Sequence, residues 1–165
     1  MHMSEFEGEI DRPNHGDVEV LARLFGEDMA TLRVDVSNED LVALATRIVD
    51  DIESDDPGAV CWVARDSDSR EAVGVILANF EWSLKFAGRA LWIEELYVTP
   101  AARRQGLGRL LVEHLLDWAE DNQIRGIDLE AYQGNTPASI LYRSLGFHRL
   151  GRERFYYRLG PDEFL

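Results

Sequence analysis

The stretch that most constrains the fold is Tyr97-Val98-Thr99-Pro100-Ala101-Ala102-Arg103-Arg104-Gln105-Gly106-Leu107-Gly108-Arg109, because the chain's periodicity changes across it. Before it, Leu91–Val98 reads as a strand. After it, Gly106–Asp121 carries Leu107, Leu110, Leu111, Leu115 and Trp118 at helical spacing. A strand that feeds through a proline-marked turn into a helix belongs to a mixed α/β layer, not to a helical bundle or a β-sandwich. The first turn of that helix holds two glycines, Gly106 and Gly108, which let a ligand approach the backbone closely. Helix N-termini expose unpaired N–H groups and the positive end of the dipole, so this turn suits an anion such as phosphate. The surrounding 13 residues include three arginines and no acid, in a chain of net charge −14. The spacing is not that of a nucleotide-binding P-loop, since no GxxxxGK[ST] run is present. Nor is it a dinucleotide fingerprint, whose third glycine would fall on Leu111.

The other elements follow from the same periodicities. Gly8–Pro13 reads as a short strand around Ile10, and Asp17–Met29 as a helix with Val20, Leu21, Leu24 and Phe25 on one stripe. Ser37-Asn38-Glu39-Asp40 resembles a capping box that opens a second helix, with Leu41, Leu44, Ala45, Ile48 and Ile52 as its apolar face. Val60–Arg65, Ala72–Trp82 and Leu91–Val98 are expected to form an antiparallel meander. Ile127–Tyr132 is a further strand. Pro137–Leu145 is a helix with Thr136 as N-cap and Gly146 past its C-terminus. Phe147–Leu150 and Arg154–Leu159 are expected as closing strands. The fold class expected is α/β (α+β), a mixed central sheet of about six to seven strands with about four flanking helices.

Composition limits the functional classes. At 165 residues and 45% hydrophobic content the chain is expected to be one domain, 1–165, with residues 1–8 a flexible N-terminus. No apolar run approaches the ~20 residues of a membrane span, and the acidic N-terminus has no signal-peptide pattern. Met1-His2-Met3 reads as a cloning remnant. Cys61 is the single cysteine, so neither an internal disulfide nor a cysteine-based metal cage is available. These features predict a soluble cytoplasmic protein without a metal. Sixteen of the 31 acidic residues, against four arginines, lie in residues 1–60. That balance disfavours nucleic acid and anionic membrane as partners and favours cationic ones. Adaptation to salt, or a general preference for Asp, Glu and Arg, is the alternative account of the charge.

Three motifs in order resemble the GNAT family of acetyl-CoA-dependent N-acetyltransferases. Arg103, Gly106 and Gly108 match the family's [Q/R]-x-x-G-x-[G/A] loop. Leu91-Trp92-Ile93-Glu94-Glu95-Leu96-Tyr97-Val98 resembles its fourth strand, and Asn135 through Phe147 resembles its N…A…FY…GF segment. The resemblance spans roughly residues 9–159. Within the family, residues 79–98 look most similar to the diamine and polyamine group (spermidine/spermine and thialysine acetyltransferases).

The resemblance implies that the CoA pyrophosphate rests on backbone N–H groups of Arg104, Gln105, Gly106, Leu107, Gly108 and Arg109, with Arg103 and its neighbours adding charge. Pantetheine would run along strand 91–98, pairing with the backbone near Leu96, Tyr97 and Val98, where that strand splays from 127–132. An ammonium cannot attack a thioester, so a base must first remove a proton. Glu94 is the candidate, on the expectation of a half-buried cleft that raises its pKa. Alternation puts Glu94 and Glu95 on opposite faces unless a bulge intervenes, leaving Glu95 to bind a second cationic group and leaving open which of the two is the base. Tyr142 is implied as the general acid for the departing thiolate, and Asn135, seven residues earlier, as a further cofactor contact. A backbone N–H near Tyr97 or Val98 would meet the oxyanion. Phe80, Trp82 and Trp92 are expected to be mostly core, with Trp82 also a candidate acceptor contact. Cys61, His114 and His148 are read as structural.

The implied activity is transfer of an acetyl group from acetyl-CoA to a primary amine of a small cationic acceptor, polyamine or lysine-like, by an enzyme that resembles family members found as homodimers. A protein N-terminus or lysine, or an aminoglycoside, is the alternative acceptor. A non-catalytic acyl-CoA sensor is the alternative class, against which the presence of both Glu94 and Tyr142 argues.

Overall fold

The computed structural model describes residues 5–160, so residues 1–4, with His2 and half of the expected flexible N-terminus, lie outside the described part, as do residues 161–165. The sheet begins with a short strand, Glu9–Asp11 (β1), antiparallel to Ala59–Arg65 (β2). Ala72–Ser83 (β3) and Gly88–Val98 (β4) continue the antiparallel meander that the alternation predicts. Ile127–Leu129 (β5) pairs parallel with β4. Among the described residues this gives a five-stranded sheet in the order β1-β2-β3-β4-β5. The helices are Val18–Thr31 (α1), Asn38–Ile52 (α2), Leu107–Asp121 (α3) and Thr136–Ser144 (α4).

The strand count is lower than expected. Residues 147–150 and 154–159 form no strand, and Phe155, Tyr156, Tyr157 and Leu159 are exposed. An alternating pattern supplies a face but not a ladder, and these segments have no strand partner among the described residues. The strand expected at 127–132 likewise ends at Leu129.

The chain falls into two compact units, one reaching Glu130 and one starting at Ala131. In the first, β2 is buried along its whole length, as its continuous apolar run requires. One face meets α1 and α2: Leu21, Leu24, Phe25, Leu41, Ala45 and Val49 pack on Cys61, Val63, Val75, Leu77 and Tyr97. Each fully buried Leu or Val there contributes roughly 1.5–3 kcal/mol relative to exposure. The other face is covered by α3, whose Leu107, Leu111 and Leu115 are buried. There Trp62 meets His114 and Trp118 edge-on, at 5.0 and 5.5 Å between centroids, so His114 is a packed ring as expected. Gly74 makes that approach close, because a Cβ would come within 3.3 Å of the Leu111 side chain and 3.4 Å of that of Leu107.

The helix starts are local chemistry. Asn14 and Asp17 form a reciprocal capping box ahead of α1. Ser37 Oγ accepts the Asp40 N–H at 3.1 Å ahead of α2, as its motif predicts. In the second unit the cap of α4 is Asn135, whose side chain accepts the Ala138 N–H at 3.4 Å, rather than the expected Thr136. Asn is the stronger cap. Gly146 sits at φ +93°, past the helix end as expected.

Candidate active site

The site is organised by an irregularity in β4. Leu77 pairs with Glu95 and Ala78 pairs with Ile93, so Glu94 is the extra residue of a β-bulge. Cross-strand partners share a face. Leu77 lies in the core under α1 and α2, which puts Glu95 on that side. Trp92, paired with Asn79, lies on the same side, and its Nε1–H donates to Glu94 Oε2 at 3.1 Å. The bulge therefore cancels the alternation, and both glutamates share the α1 side of the sheet.

Their environments differ sharply. Glu94 is exposed, not half-buried as expected. Glu95 is the partly buried one. Burial first, then a hydrogen bond with Asp28 and its negative charge, push the Glu95 carboxyl up to about 9. At neutral pH the Glu95 carboxyl therefore holds its proton. Asp28 was not singled out from the sequence. The available signal was its position on the stripe that continues Leu21, Leu24 and Phe25, where an acid is out of place.

The next residues bind α1 too. Tyr97 Oη and Thr99 Oγ1 each donate to Glu27 Oε2 at 3.0 Å. Burial and then Glu27 push the Tyr97 phenol up to about 12, so it stays protonated. On its other edge, β4 pairs with β5 only over Leu91–Ile93. From Glu94 through Leu96 to Val98 that edge has no strand partner among the described residues, where the resemblance implies a splay from a longer strand 127–132. The Val98 carbonyl accepts a hydrogen bond from Arg103 Nε at 3.0 Å.

Beyond β4, Pro100–Ala102 forms a single 3₁₀ turn, and Arg104 and Gly106 take left-handed conformations at φ +66° and +70°. A Cβ on Gly106 would meet nothing within 4 Å, so glycine is required there by the backbone angle and not by space. Gly106 is the N-cap of α3 and makes no side-chain cap. The guanidinium of Arg103 lies over the Tyr97 ring, 5.7 Å from its centroid. Arg109 pairs with Glu113 along the helix at 3.4 Å, and Arg104 is exposed. A cavity of about 440 Å³ reaches Thr99, Ala101, Ala102 and Gln105 from the N-terminal segment and includes neither glutamate.

The structure thus groups Glu94, Glu95, Leu96, Tyr97, Val98 and the loop Arg103–Arg109 on the first unit. Asn135 and Tyr142 belong to the second. There Tyr142 lies in the last turn of α4 with its ring edge-on to Phe147, 5.7 Å between centroids. Of the aromatic residues expected to be mostly core, Trp82 is 85% exposed near the tip of the β3–β4 hairpin. β3 pairs with β2 only as far as Asn79, so Trp82, opposite Arg89, lies on a part of the hairpin that the meander no longer flanks. Phe80 and Trp92 are partly buried. Cys61 is buried and its thiol is pushed up to about 12, which leaves it unreactive. No helix among the described residues is long and apolar enough to cross a membrane.

Comparison with known proteins agrees with this geometry. A [Ribosomal protein bS18]-alanine N-acetyltransferase of Escherichia coli K12 is 45% identical over 60 residues, 36% of this chain and 40% of that enzyme's length. The chain thus matches about two fifths of that relative. A streptothricin acetyltransferase of Streptomyces lavendulae is 31% identical over 173 aligned residues, which cover 95% of this chain and 89% of that protein. A crystal structure of a probable acetyltransferase superposes with a TM-score of 0.79 at 19% identity, covering 94% of this chain and 99% of that one, which supports the fold. The model of the acetyltransferase (GNAT) family matches residues 21–147, from the first core leucine of α1 to the phenylalanine after α4. A fourth strand that loses its partner past Ile93, an arginine-glycine turn into a helix, and these relatives lead to one conclusion: the chain belongs to the acetyltransferase (GNAT) family, whose co-substrate is acetyl-CoA.

Proposed function

We propose that this protein acetylates a primary amine of a small cationic acceptor, polyamine or lysine-like, by direct attack on acetyl-CoA in a ternary complex. The observation that carries the reading is the β4 bulge, which sets an exposed carboxylate, Glu94, at the point where β4 loses its β5 partner. The residues fit an anionic co-substrate. Gly106 caps α3 without a side chain, and the first-turn N–H groups of a helix have no intrahelical acceptors. Arg103, Arg104, Gln105, Leu107, Gly108 and Arg109 complete the pyrophosphate cradle, and the edge at Leu96–Val98 holds pantetheine. Acetyl-CoA supplies the acetyl group as a thioester.

In this reading Glu94, not Glu95, takes the proton from the acceptor ammonium, because Glu95 is already protonated at neutral pH. The Asp28–Glu95 pair attracts a second cationic group on the acceptor, and Trp82 offers it an exposed apolar contact. Tyr142 gives a proton to the departing sulfur, and Asn135 supports the cofactor while capping α4. The acid-rich residues 1–60 favour a cationic acceptor. A second reading, acetylation of a protein N-terminal alanine, is favoured by the 45% identity to the ribosomal-protein enzyme.

Thiol release from acetyl-CoA, measured across diamines, polyamines, lysine, streptothricin and an alanine-led peptide, separates these readings. Turnover on the small cations supports the proposal, and turnover on the peptide alone replaces it with the second reading. Binding of CoA without turnover on any amine leaves the sensor class. Glu94→Gln is expected to lower kcat by about 10²–10⁴-fold with CoA affinity kept, the size of a lost general base. Tyr142→Phe is expected to lower kcat in the same manner; unchanged rates would remove either residue from the mechanism. The exposed Phe155, Tyr156, Tyr157 and Leu159 support a homodimer, which sedimentation would test.

A further inference from the structure

We infer that Glu27, on α1, is a positioning residue for the CoA loop. One carboxylate oxygen, Glu27 Oε2, accepts two hydrogen bonds at 3.0 Å, from Tyr97 Oη and Thr99 Oγ1. These two residues flank Val98, the last residue of β4, so a single carboxylate holds both the end of the strand and the first residue of the turn. The Thr99 N–H also donates to the Val73 carbonyl at 2.9 Å, which fixes the same residue from the β3 side. The Tyr97 ring that Glu27 anchors is the surface over which Arg103 lies, and Arg103 Nε closes the arrangement onto the Val98 carbonyl. A continuous path therefore runs from Glu27 through Tyr97 to Arg103, the first fixed residue of the loop motif.

The loop needs such an anchor. Arg104 and Gly106 hold left-handed backbone angles, and Arg104 has a side chain that opposes this conformation. Nothing within 4 Å confines Gly106 from its Cβ side. The part of the turn at Arg104–Gly106 is therefore held from its two sides, by the anchored stretch Thr99–Arg103 and by α3. Hydrogen bonds to a carboxylate are the stronger kind, and Glu27 is itself steadied by Arg23 at 3.9 Å, which also reaches Glu71 at 3.3 Å. Glu27 lies on α1, a helix that meets Glu95 of β4 through Asp28. The helix that carries the acceptor-side charge pair thus also sets the cofactor loop.

This inference rests on the reading that the loop binds CoA, and calorimetric titration with CoA itself, which needs no acceptor, tests the two separately. Glu27→Ala and the double change Tyr97→Phe with Thr99→Val are each expected to weaken CoA binding about tenfold, the scale of one well-placed hydrogen bond. Combining all three substitutions should weaken it no further, because they cut the same path. Glu27→Gln keeps an acceptor oxygen and should restore most of the affinity. Lys85→Ala, which removes the 2.6 Å ion pair with Asp128 at the opposite end of β4, should leave the affinity of the folded protein unchanged. If wild-type protein does not bind CoA, the cofactor reading itself fails. If wild type binds and both cuts leave the affinity unchanged, or if their effects multiply, Glu27 does not position the loop. Where Glu27→Ala does not fold, the Tyr97/Thr99 pair, which removes one hydroxyl and replaces another by a methyl, decides the question.

Discussion

Two clusters of charged groups sit against this sheet, and they are accommodated by different means. At the end of β2, Arg65 donates to both oxygens of Asp17 at 2.7 and 2.8 Å and to Asp11 at 2.7 Å. Asp17 also accepts the Asn14 N–H that caps the first helix. There opposite charges meet, every polar atom has a partner, and nothing is left to react. At the bulge of β4, Glu95 meets Asp28, two acids, and burial with the Asp28 charge beside it raises the Glu95 carboxyl to about 9. The first arrangement closes the fold. The second sets a carboxyl of raised pKa beside the exposed Glu94, the kind of perturbed pair that clusters at functional sites.

Removing one partner from the closed cluster should have the largest effect. Asp17→Ala leaves Arg65 buried with Asp11 alone, and is expected to cost ~3–5 kcal/mol. Thermal unfolding should show this as a fall in Tm on the order of 10 °C. A change of a degree or two would mean that water already reaches Arg65.

The pH dependence separates the clusters more finely, because their signs are opposite. Burial raises the Asp17 carboxyl, but the Arg65 hydrogen bond and charge and the Asn14 N–H bring it below the usual aspartate range. Its contribution is present above the unfolded pKa and is lost as pH falls through the lower folded value. Glu95 is raised, from 4.5 to about 9. The folded state then holds the extra proton between those values, so this contribution is full below 4.5 and is lost as pH climbs toward 9. Glu95→Gln mimics the protonated acid and should flatten the alkaline side of a Tm-versus-pH curve while leaving the acid side unchanged. An unaltered alkaline side would show that Glu95 ionises freely.

A surface pair provides the smallest effect. Arg70 and Glu9 meet at 2.7 Å with both side chains 57% exposed. Arg70→Ala should shift stability by about 1 kcal/mol or less, since solvent screens such pairs. A loss comparable to that of Asp17→Ala would mean that the Arg70 carbonyl, which accepts from Arg65 at 3.5 Å, is displaced with it.

Much of this architecture was legible in the chain. Local signals placed the helices and the meander: the Ser37 cap, the apolar stripes of α1, α2 and α3, and the polar turns between β2, β3 and β4. The strand-to-helix turn at Thr99–Gly106 was readable because proline, glycine and arginine mark it chemically. The bulge was not, since it is a relation between two strands: Glu94 is extra only against the register of Leu77 and Ala78. The contrast between the two glutamates was hidden for the same reason. Asp28 and Glu27 lie about seventy residues away in sequence and reach β4 only when α1 packs on the sheet. The closing segments failed in the opposite direction, because Phe155-Tyr156-Tyr157 has a strand's composition without a partner ladder.

By itself, then, the sequence determined the periodicities, the caps and the loop motif, because each depends on residues within one or two turns of each other. Tertiary structure alone decided which glutamate is partly buried and which exposed, and which helix meets the end of β4. Those outcomes depend on distance and dielectric between elements far apart in the chain, and folding sets both.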